Sequence, residues 1–427
     1  MCPRVTFIVS FILAASWAGA QEAAPPLTLD DCIRRAMASP SALSLARQQS
    51  QIAALSRTTA KAALLPQARL GAAFTYNSPL SGTSEVQSYV ALNGIREYSA
   101  LLTAIQEIDI SGRLRAARAR ARAEEDGATA NVRLAERDLK RAVTRAYYRA
   151  LLGRRLVVVA NDALAEARRF ETRARQLEGK GEAARADVVK ASALTAFLEQ
   201  TVTAAELEAE TASHDLASFW TADVQGSLPL ADTLDAPVPP PDQAHAPPEK
   251  PFLRRLEFDV LDAERRGFLA EARRLHGERL PQATFALQWG LDSTRVHFGD
   301  RGYAALFDLS VPIFDWRKAR SASRQLELQA EQVEETREIT VRAFSREYQD
   351  ALAAVEKLHA QIATTERQVA LSNEDLRLAR IRYEGGEGSA LDVVTAQGQL
   401  AQARTNHYTT LARYLQSRAE LTVAAGE

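Results

Sequence analysis

Residues 382–394 read RYEGGEGSALDVV, and residues 177–189 read LEGKGEAARADVV. Both stretches contain Gly-Glu, four further residues and then Asp-Val-Val, and the two copies lie 205 residues apart. Each copy follows one long Ala- and Leu-rich stretch and precedes another. A motif that returns at this distance in the same context indicates an internal duplication.

Two further pairs of motifs support the duplication. Leu65-Pro66-Gln67-Ala68 recurs as Leu280-Pro281-Gln282-Ala283, and Ile110-Ser111-Gly112-Arg113 resembles Phe314-Asp315-Trp316-Arg317. The motifs occur in the same order in both halves. We therefore predict a first structural repeat at residues 21–225 and a second at 252–427. Residues 226–251 between them are Pro-rich, which predicts a linker that forms neither helix nor central strand.

The two predicted repeats share one order of secondary structure. A helix ends at each Leu-Pro-Gln motif, and two strands, a very long helix and a shorter return helix follow. The predicted helices are Leu27–Leu65, Arg113–Leu177, Asp187–Thr221, Phe252–Leu280, Arg317–Tyr383 and Asp392–Ala424. At about 1.5 Å per residue, each long helix extends roughly 100 Å. The predicted fold class is mostly α with a small β part.

Alternation of apolar and polar residues marks the predicted strands. In residues 281–292 the apolar set is Ala283, Phe285, Leu287, Trp289 and Leu291, and in residues 302–314 it is Tyr303, Ala305, Phe307, Leu309, Val311 and Ile313. The first repeat has Leu70, Ala72, Phe74 and Tyr76, followed by a less regular stretch at 86–110. A period of two over about ten residues is typical of a strand with one apolar face, and this length crosses a bilayer when the strand is tilted.

One face of the second long helix carries an apolar residue at every seventh position. These residues are Val341, Tyr348, Val355, Ile362, Val369, Leu376 and Tyr383, and the first long helix repeats the pattern more weakly through Leu156, Ala163, Phe170 and Leu177. A sustained period of seven keeps one apolar seam against a partner helix when the helices supercoil. The sequence therefore predicts a coiled coil.

The two motifs quoted first are predicted to form the tips of helical hairpins. Their glycines, which supply the backbone freedom to reverse the chain, are Gly179, Gly181, Gly385, Gly386 and Gly388. Ser389 and Asp392 fit a capping box at the start of the return helix, and Ala184 replaces the serine in the first copy. Capping is the simpler explanation of Asp187 and Asp392, and interhelix packing that of Tyr383.

The N-terminus has the composition of a secretory signal peptide. Arg4 precedes an apolar run, and Ala18-Gly19-Ala20 supplies the small residues of a cleavage site. We predict a signal peptide at residues 1–20, which indicates export. Cys32 is then the single cysteine of the mature chain, so no disulfide is expected. The mature sequence contains no run of about 18 apolar residues, so we expect no membrane-spanning helix.

Composition and motifs weigh against several classes of function. The 53 basic and 54 acidic residues give a formal net charge of −1. The Arg-rich run at 113–122 is followed at once by acidic residues, which favours a solvated helix face over a nucleic-acid site. The six histidines lack the spacing of a metal site, so neither metal nor cofactor is expected. No catalytic motif is present, so we expect no enzyme.

Four strands cannot close a membrane barrel alone, since single-chain barrels begin at eight. Either the strands form a small soluble sheet or several chains combine them. A cyclic assembly would also give the apolar helix seams their partners. The competing interpretation is a periplasmic or secreted coiled-coil scaffold without a pore.

The signal peptide, the duplication, the Leu-Pro-Gln motif before the strands, the coiled-coil helices and the second tip together resemble the outer-membrane factor family typified by TolC. The tip residues that carry the resemblance are Arg382, Tyr383, Gly386, Ser389, Asp392 and Val393. The resemblance implies a homotrimer in the outer membrane, with most of each chain in the periplasm. It also implies a twelve-stranded β-barrel continued by a long α-helical barrel. Such channels work in tripartite efflux or type I secretion, with a periplasmic adaptor and an inner-membrane pump.

The same resemblance assigns roles to the tip residues. Asp187 and Asp392 match acidic positions at the family's periplasmic aperture, and Tyr383 matches an aromatic residue near its constriction. The positions expected to meet the adaptor are Gly179, Gly181, Gly385, Gly386 and Ser389. Gly388 and Thr395 stand where some members carry other gate residues.

Overall fold

The computed structural model describes residues 26–78, 95–224, 228–240 and 249–426. The predicted signal peptide at 1–20, part of the predicted linker and the start of the stretch at 86–110 lie outside these ranges. In chain order the elements are α1 (Leu29–Ala38), α2 (Ala42–Ala62), β1 (Gln67–Tyr76), β2 (Arg96–Ile108), α3 (Arg113–Gly179), α4 (Arg185–Ala217), α5 (Leu256–Gly277), β3 (Gln282–Ser293), β4 (Arg301–Ser310), α6 (Lys318–Glu384) and α7 (Ala390–Ala424). Short 3-10 turns occupy Pro251–Arg254 and Phe298–Asp300. The predicted fold class is confirmed.

The prediction of one unbroken helix over Leu27–Leu65 is wrong. The helix stops after Ala38 and restarts at Ala42, on either side of Ser39-Pro40-Ser41. Proline has no amide to donate and disfavours helical geometry in the residue before it, so the chain breaks there. Thr28 caps the first piece through a reciprocal capping box with Asp31.

The Leu-Pro-Gln motifs end α2 and α5 through the glutamine as well as the proline. The Gln67 amide donates to the carbonyls of Ala62 (2.9 Å) and Leu65 (3.0 Å). Gln282 repeats this arrangement in the second half, donating to Gly277 (2.9 Å) and Leu280 (2.8 Å). The last carbonyls of a helix have no partner within it, so each glutamine satisfies groups that would otherwise need water.

The four strands form one antiparallel sheet in the order β1-β2-β3-β4. The register sets Leu70 opposite Leu102, Leu102 opposite Trp289, and Trp289 opposite Tyr303. Residues that stand opposite each other share one face, so this row fixes the side on which each strand places its apolar residues. The row and its same-face neighbours are largely apolar and exposed, including Phe74, Phe285, Leu287, Phe307 and Leu309. The alternation predicted from the sequence is confirmed within the strands, but β4 ends at Ser310, so the prediction is wrong for Val311 and Ile313, which lie beyond it.

Acidic residues cap the long helices from outside. The Asp109 carboxylate accepts hydrogen bonds from the backbone N–H groups of Leu114 and Arg115, both at 3.0 Å. Asp315 does the same for α6, accepting from the backbone N–H of Arg317 (3.0 Å) and Ala319 (3.1 Å). Because negative charge at a helix N-terminus is favourable, these carboxylates offset the basic first turn of each helix.

The Arg-rich run at 113–122 is engaged within the chain. Arg113 pairs with Glu107 (2.6 Å), and Arg115 pairs with Asp109 (2.9 Å). Arg120 contacts both Glu124 (2.8 Å) and Glu271 (3.0 Å). Three of the five arginines in the run therefore serve internal ion pairs.

The two long helices contain 67 residues each and supply a large part of the core, α3 more than α6. Helix α3 packs against α2, α4, α5 and α7, and α6 packs against α5 and α7. The seven-residue seam of α6 is confirmed, because its members Tyr348, Val355, Leu376 and Tyr383 are buried. Phe170 and Leu177 of the weaker seam in α3 are buried as well.

The described part of the segment between the repeats packs across both of them. Leu27 forms a parallel bridge to Leu230. The Tyr147 hydroxyl of α3 donates to Asp232 (2.7 Å), and the Tyr414 hydroxyl of α7 donates to the Pro239 carbonyl (2.8 Å). The described part of the segment forms neither α-helix nor central strand, as its prolines require. It nevertheless packs against the helices through these hydrogen bonds.

Candidate functional site: the hairpin tips

The two hairpin tips have the same backbone geometry. Gly181 and Gly386 adopt left-handed φ angles of +78° and +77°. In each tip the next residue donates its N–H to a carbonyl five residues back, Glu182 to Leu177 (2.8 Å) and Glu387 to Arg382 (2.9 Å). This is the usual helix ending in which a left-handed glycine lets the chain satisfy the last carbonyls.

The other tip glycines have different reasons to be glycine. Gly179 is the last residue of α3 and Gly385 has φ of −80°, so chain reversal does not depend on a left-handed conformation at either. At Gly388 an added Cβ would lie 2.9 Å from the Arg382 Cβ, so this position needs glycine for space. The prediction that all five glycines supply backbone freedom is therefore wrong for Gly179, Gly385 and Gly388.

The predicted capping box at the second tip is confirmed. Ser389 Oγ accepts from the Asp392 N–H at 3.2 Å, while Asp392 Oδ2 accepts from the Ser389 N–H (3.0 Å) and hydroxyl (2.9 Å). These hydrogen bonds, from the backbone first and the hydroxyl second, lower the pKa of Asp392. At the first tip Ala184 takes the cap position, and α4 begins without a side-chain hydrogen bond there.

Tyr383 lies inside the interface between the two hairpins. Its ring meets Phe170 edge to face, with centroids 5.1 Å apart. The side chain is 8% exposed, and within the described residues its hydroxyl has no hydrogen-bond partner. Burial and then the negative charge of Asp187 raise the pKa of Tyr383, while Arg173 opposes them. Asp187 is thus near enough to Tyr383 for its charge to act on the phenol.

Polar contacts also join the two hairpins, at positions from about one helical turn (Arg380) to nearly four (Glu166) from the ends of their helices. Arg380 of α6 pairs with Glu166 of α3, and the Gln397 amide of α7 donates to the Glu166 carbonyl (3.2 Å). The Gln397 Oε1 atom is buried and has no partner among the described residues. Sequence reasoning missed this group, although one signal was visible, since Gln397 is a polar residue between apolar turns of α7.

The tips combine a packed apolar base with short glycine-containing turns. Apolar side chains of α3, α4, α6 and α7 form one cluster beneath both tips, which includes Phe170, Leu177, Leu376, Tyr383 and Val393. Beyond it lie the glycines together with exposed charged residues such as Lys180, Glu182 and Glu387. No hydrogen bond or ion pair joins Asp187 to Asp392 in the described part of the chain.

The described residues contain neither a metal-binding cluster nor a membrane-spanning helix. No group of three or more His, Cys, Asp or Glu side chains is placed to hold a metal ion in that part of the chain. None of the described helices is both long and apolar enough to cross a membrane.

Comparison with known proteins identifies relatives across most of the chain. A profile of the family described as outer membrane efflux protein matches residues 32–221 and 253–427. The pyoverdine export outer membrane protein OpmQ of Pseudomonas putida is 23% identical over 371 residues, which cover 86% of this chain and 79% of that protein.

Solved structures share the fold. The CmeC outer membrane channel of Campylobacter jejuni has a TM-score of 0.85 at 15% identity, covering 93% of this chain and 85% of the other. The open state of the MtrE outer membrane channel of Neisseria gonorrhoeae has a TM-score of 0.82 at 21% identity, covering 93% and 88%. The family resemblance predicted from the sequence is confirmed.

Proposed function

The chain belongs to the outer membrane efflux protein family, and we propose on that basis that three identical copies form a continuous exit duct from the periplasm through the outer membrane. The protein is the outer-membrane channel component of an efflux system. The trimer, the aperture and the partners described below are parts of the proposal. One observation carries it: the sheet has an exposed apolar face and two free edges.

The free edges require partners of matching direction. Strands β1 and β4 are the two ends of the antiparallel sheet, and among the described residues the outer edge of each has no strand partner. In hydrocarbon, every unsatisfied backbone group on such an edge costs several kcal/mol. Because the strand number per chain is even, β4 of one copy can pair antiparallel with β1 of the next. Three copies supply twelve strands, a number within the range of known barrels.

The helices support the same assembly. Several large apolar side chains on helix faces stay exposed in the single chain, among them Leu45, Ile52, Leu55, Phe197, Leu207, Ile339 and Leu371. Contiguous exposed apolar surface is typical of a face that meets another protein surface. At 1.5 Å per residue the 67-residue helices extend about 100 Å. Side-by-side copies would enclose a tunnel of that length.

The inner end of this tunnel is the proposed gate. Three-fold symmetry would bring the two hairpin tips of each copy to one ring, with Asp187, Asp392 and Tyr383 near the narrowest point. Carboxylates gathered at a narrow mouth attract cations. The unpaired hydroxyl of Tyr383 supports a gate that changes its contacts, since a buried donor without a partner is costly and gains from rearrangement.

The proposal is tested first by assembly and conductance. We expect an unheated band of trimer mass from outer-membrane fractions and ion conductance of the purified protein in planar bilayers. A water-soluble monomer that never conducts would support a scaffold without a pore and contradict the proposal.

The charge ring is tested by reversal potentials in a salt gradient. Asp392→Asn should lower cation preference. Asp350→Asn is a matched control, because Asp350 is an exposed residue of α6 about 50 Å from the tip along the helix. Equal selectivity in Asp392→Asn and the wild-type protein would refute a role of Asp392 at the aperture.

The tips are also the proposed contact for a periplasmic adaptor that joins an inner-membrane pump. The contact positions are Gly179, Gly181, Gly385, Gly386 and Ser389. Gly385→Arg adds bulk without a strained φ angle, so trimers and conductance should persist while cellular export fails. Gly398→Arg, on an exposed stretch of α7, is the control. Normal export by Gly385→Arg would argue against adaptor contact there.

A further inference from the structure

A cavity of about 950 Å³ lies between α3, α6 and the C-terminal half of α7, next to the start of α5. All four helices belong to one chain, so the cavity does not depend on the proposed trimer. Its volume falls in the range of sites that bind small molecules. The tip gate lies elsewhere on the chain, so the cavity needs a separate explanation.

The wall formed by α3 is polar and basic. Arg137, Arg141, Thr144 and Tyr148 line it, and their spacing of four, three and four residues places them on one helix face. Arg133 and Lys140 also border the cavity. This face therefore presents several donors to the same space.

Ion pairs already occupy most of these cations. Arg133 pairs with Asp259 (2.8 Å), Arg137 with Glu257 (3.0 Å) and Lys140 with Glu136 (2.8 Å). Arg141 has no carboxylate within ion-pair distance in the described part of the chain, although it is partly buried. An Arg that is partly removed from water without a counter-charge is a binding position for an anion.

The opposite wall is largely aliphatic. Leu352 and Val355 of α6 and Leu415, Leu421 and Val423 of α7 line it, and Glu356, Arg418 and Thr422 border the cavity from the same helices. Tyr148 lies at the boundary, and its hydroxyl makes no hydrogen bond within the described residues. Burial raises the pKa of this phenol, so it stays protonated and can donate. The cavity thus combines Arg141, which has no ion-pair partner among the described residues, with the Tyr148 hydroxyl as a donor and a largely apolar wall.

We propose that this cavity binds a single-chain amphiphile with one anionic headgroup, whose headgroup pairs with Arg141 and whose alkyl chain lies on the aliphatic wall. The ligand reaches the cavity from solution. Arg141 is 28 residues from the start of α3 at Arg113, which places it about 42 Å along the helix from the strands. A phospholipid anchored in the bilayer around the strands cannot extend that far.

Binding of sodium decanoate, measured by calorimetry on the protein in lipid nanodiscs, tests the proposal. Empty nanodiscs give the linear partitioning background, and the site should add a saturable component. Arg141→Gln should weaken this component at least about tenfold, as expected for a lost charged hydrogen bond. Arg141→Lys should retain most of it. Thr144→Trp, which places an indole ring next to Arg141 on the same helix face and keeps the charge, should weaken it strongly.

Arg145→Gln is the matched control. Arg145 lies one turn further along α3 and borders only the neighbouring groove, which Arg141 also borders. It should bind decanoate like the wild-type protein. Equal losses in Arg145→Gln and Arg141→Gln, full binding by Thr144→Trp, or the absence of a saturable component would each overturn the proposal. So would equal displacement of decanoate by a neutral decyl maltoside and by decyl sulfate.

Discussion

Replacing Glu257 by glutamine should destabilise the joint between the two repeats in a pH-dependent way. Glu257 lies in the first turn of α5 and takes bidentate hydrogen bonds from Arg137 of α3, both at 3.0 Å. Arg255 donates to the same carboxylate at 2.7 and 3.3 Å. One carboxylate therefore joins the long helix of the first repeat to the start of the second.

The magnitude follows from the pKa of Glu257. Burial acts to raise this pKa, but the hydrogen bonds from Arg137 and Arg255 outweigh it and lower the pKa to about 2, from 4.5. At 1.36 kcal/mol per unit, the difference corresponds to about 3 kcal/mol of stability at pH 7. The side chain is 24% exposed, so solvent screening reduces this figure little.

The environment of Arg255 supports a cost of that size. Its side chain is 4% exposed, its guanidinium lies 3.6 Å from the centre of the Phe344 ring, and its other partner is Glu347 at 2.6 Å. Loss of the Glu257 charge leaves the buried Arg255 with one counter-charge instead of two. Breaking a buried pair by removing one partner is strongly destabilising.

The pH dependence has a definite sign. A carboxyl whose pKa is lower in the folded state stabilises the fold above its unfolded pKa, and the contribution is lost as pH falls from 4.5 towards 2. The difference in unfolding free energy between wild type and Glu257→Gln should thus be about 3 kcal/mol at pH 7 and less than half of that at pH 3. Urea unfolding in neutral detergent, followed by circular dichroism, measures both values.

Glu264→Gln provides the control for this experiment. Glu264 is an exposed residue of the same helix and makes no ion pair within the described ranges, so the variant should unfold like the wild-type protein at both pH values. A Glu257→Gln effect below about 0.5 kcal/mol at pH 7, or one of unchanged size at pH 3, would refute the linkage.

Three further predictions can be checked on the purified protein and its variants. Gly386→Ala should cost about 1–2 kcal/mol in urea unfolding because the φ angle of Gly386 is +77°. Gly179→Ala, within a helix and with open space around it, should be neutral or stabilising by up to about 1 kcal/mol. Equal effects of the two substitutions on the free energy of unfolding would contradict this expectation. Burial raises the pKa of the Cys32 thiol to about 11, so a disulfide reagent at pH 8 should modify it only in urea, and rapid labelling of folded protein would count against a closed core. The first turn of α4, which follows Ala184, should exchange amide hydrogens faster than the first turn of α7. Ser389→Ala should remove most of this difference in exchange rate and lower the stability of the fold by about 1 kcal/mol. An unchanged exchange rate in α7 of that variant would show that the cap does not stabilise the turn.

Periodic patterns made much of the fold predictable from the sequence. The two-residue alternation around Trp289 and the seven-residue seam through Val355 are local patterns that depend only on which side of an element faces apolar surroundings. The ends of α3 and α6 were also readable, because a left-handed turn at Gly181 and Gly386 requires glycine. The predicted ends of these two helices, Leu177 and Tyr383, lie within two residues of the observed ends.

Features that depend on contacts between distant segments were not predictable in this way. Composition alone gave the segment after residue 225 the properties of a linker, whereas its packing depends on Tyr147 and Tyr414, which are far away in the sequence. The caps supplied by Asp109 and Gln67 were missed for a related reason. Each side chain lies outside the helix that it caps, and only the path of the backbone brings it to the helix end.

Comparing the two tips separates the residues that they share from those that differ between them. Both tips keep the left-handed glycine, the following glutamate and the first-turn aspartate, so these three suffice to reverse the chain. Only the second tip keeps the serine cap, and only Tyr383 of the second hairpin inserts an aromatic ring against Phe170. The first tip is thus held by one capping side chain fewer, although the apolar base beneath both tips is shared. A movement that loosens the tips without unpacking that base should therefore begin where the return helix starts at Ala184, and the exchange rates of the two first turns measure that order directly.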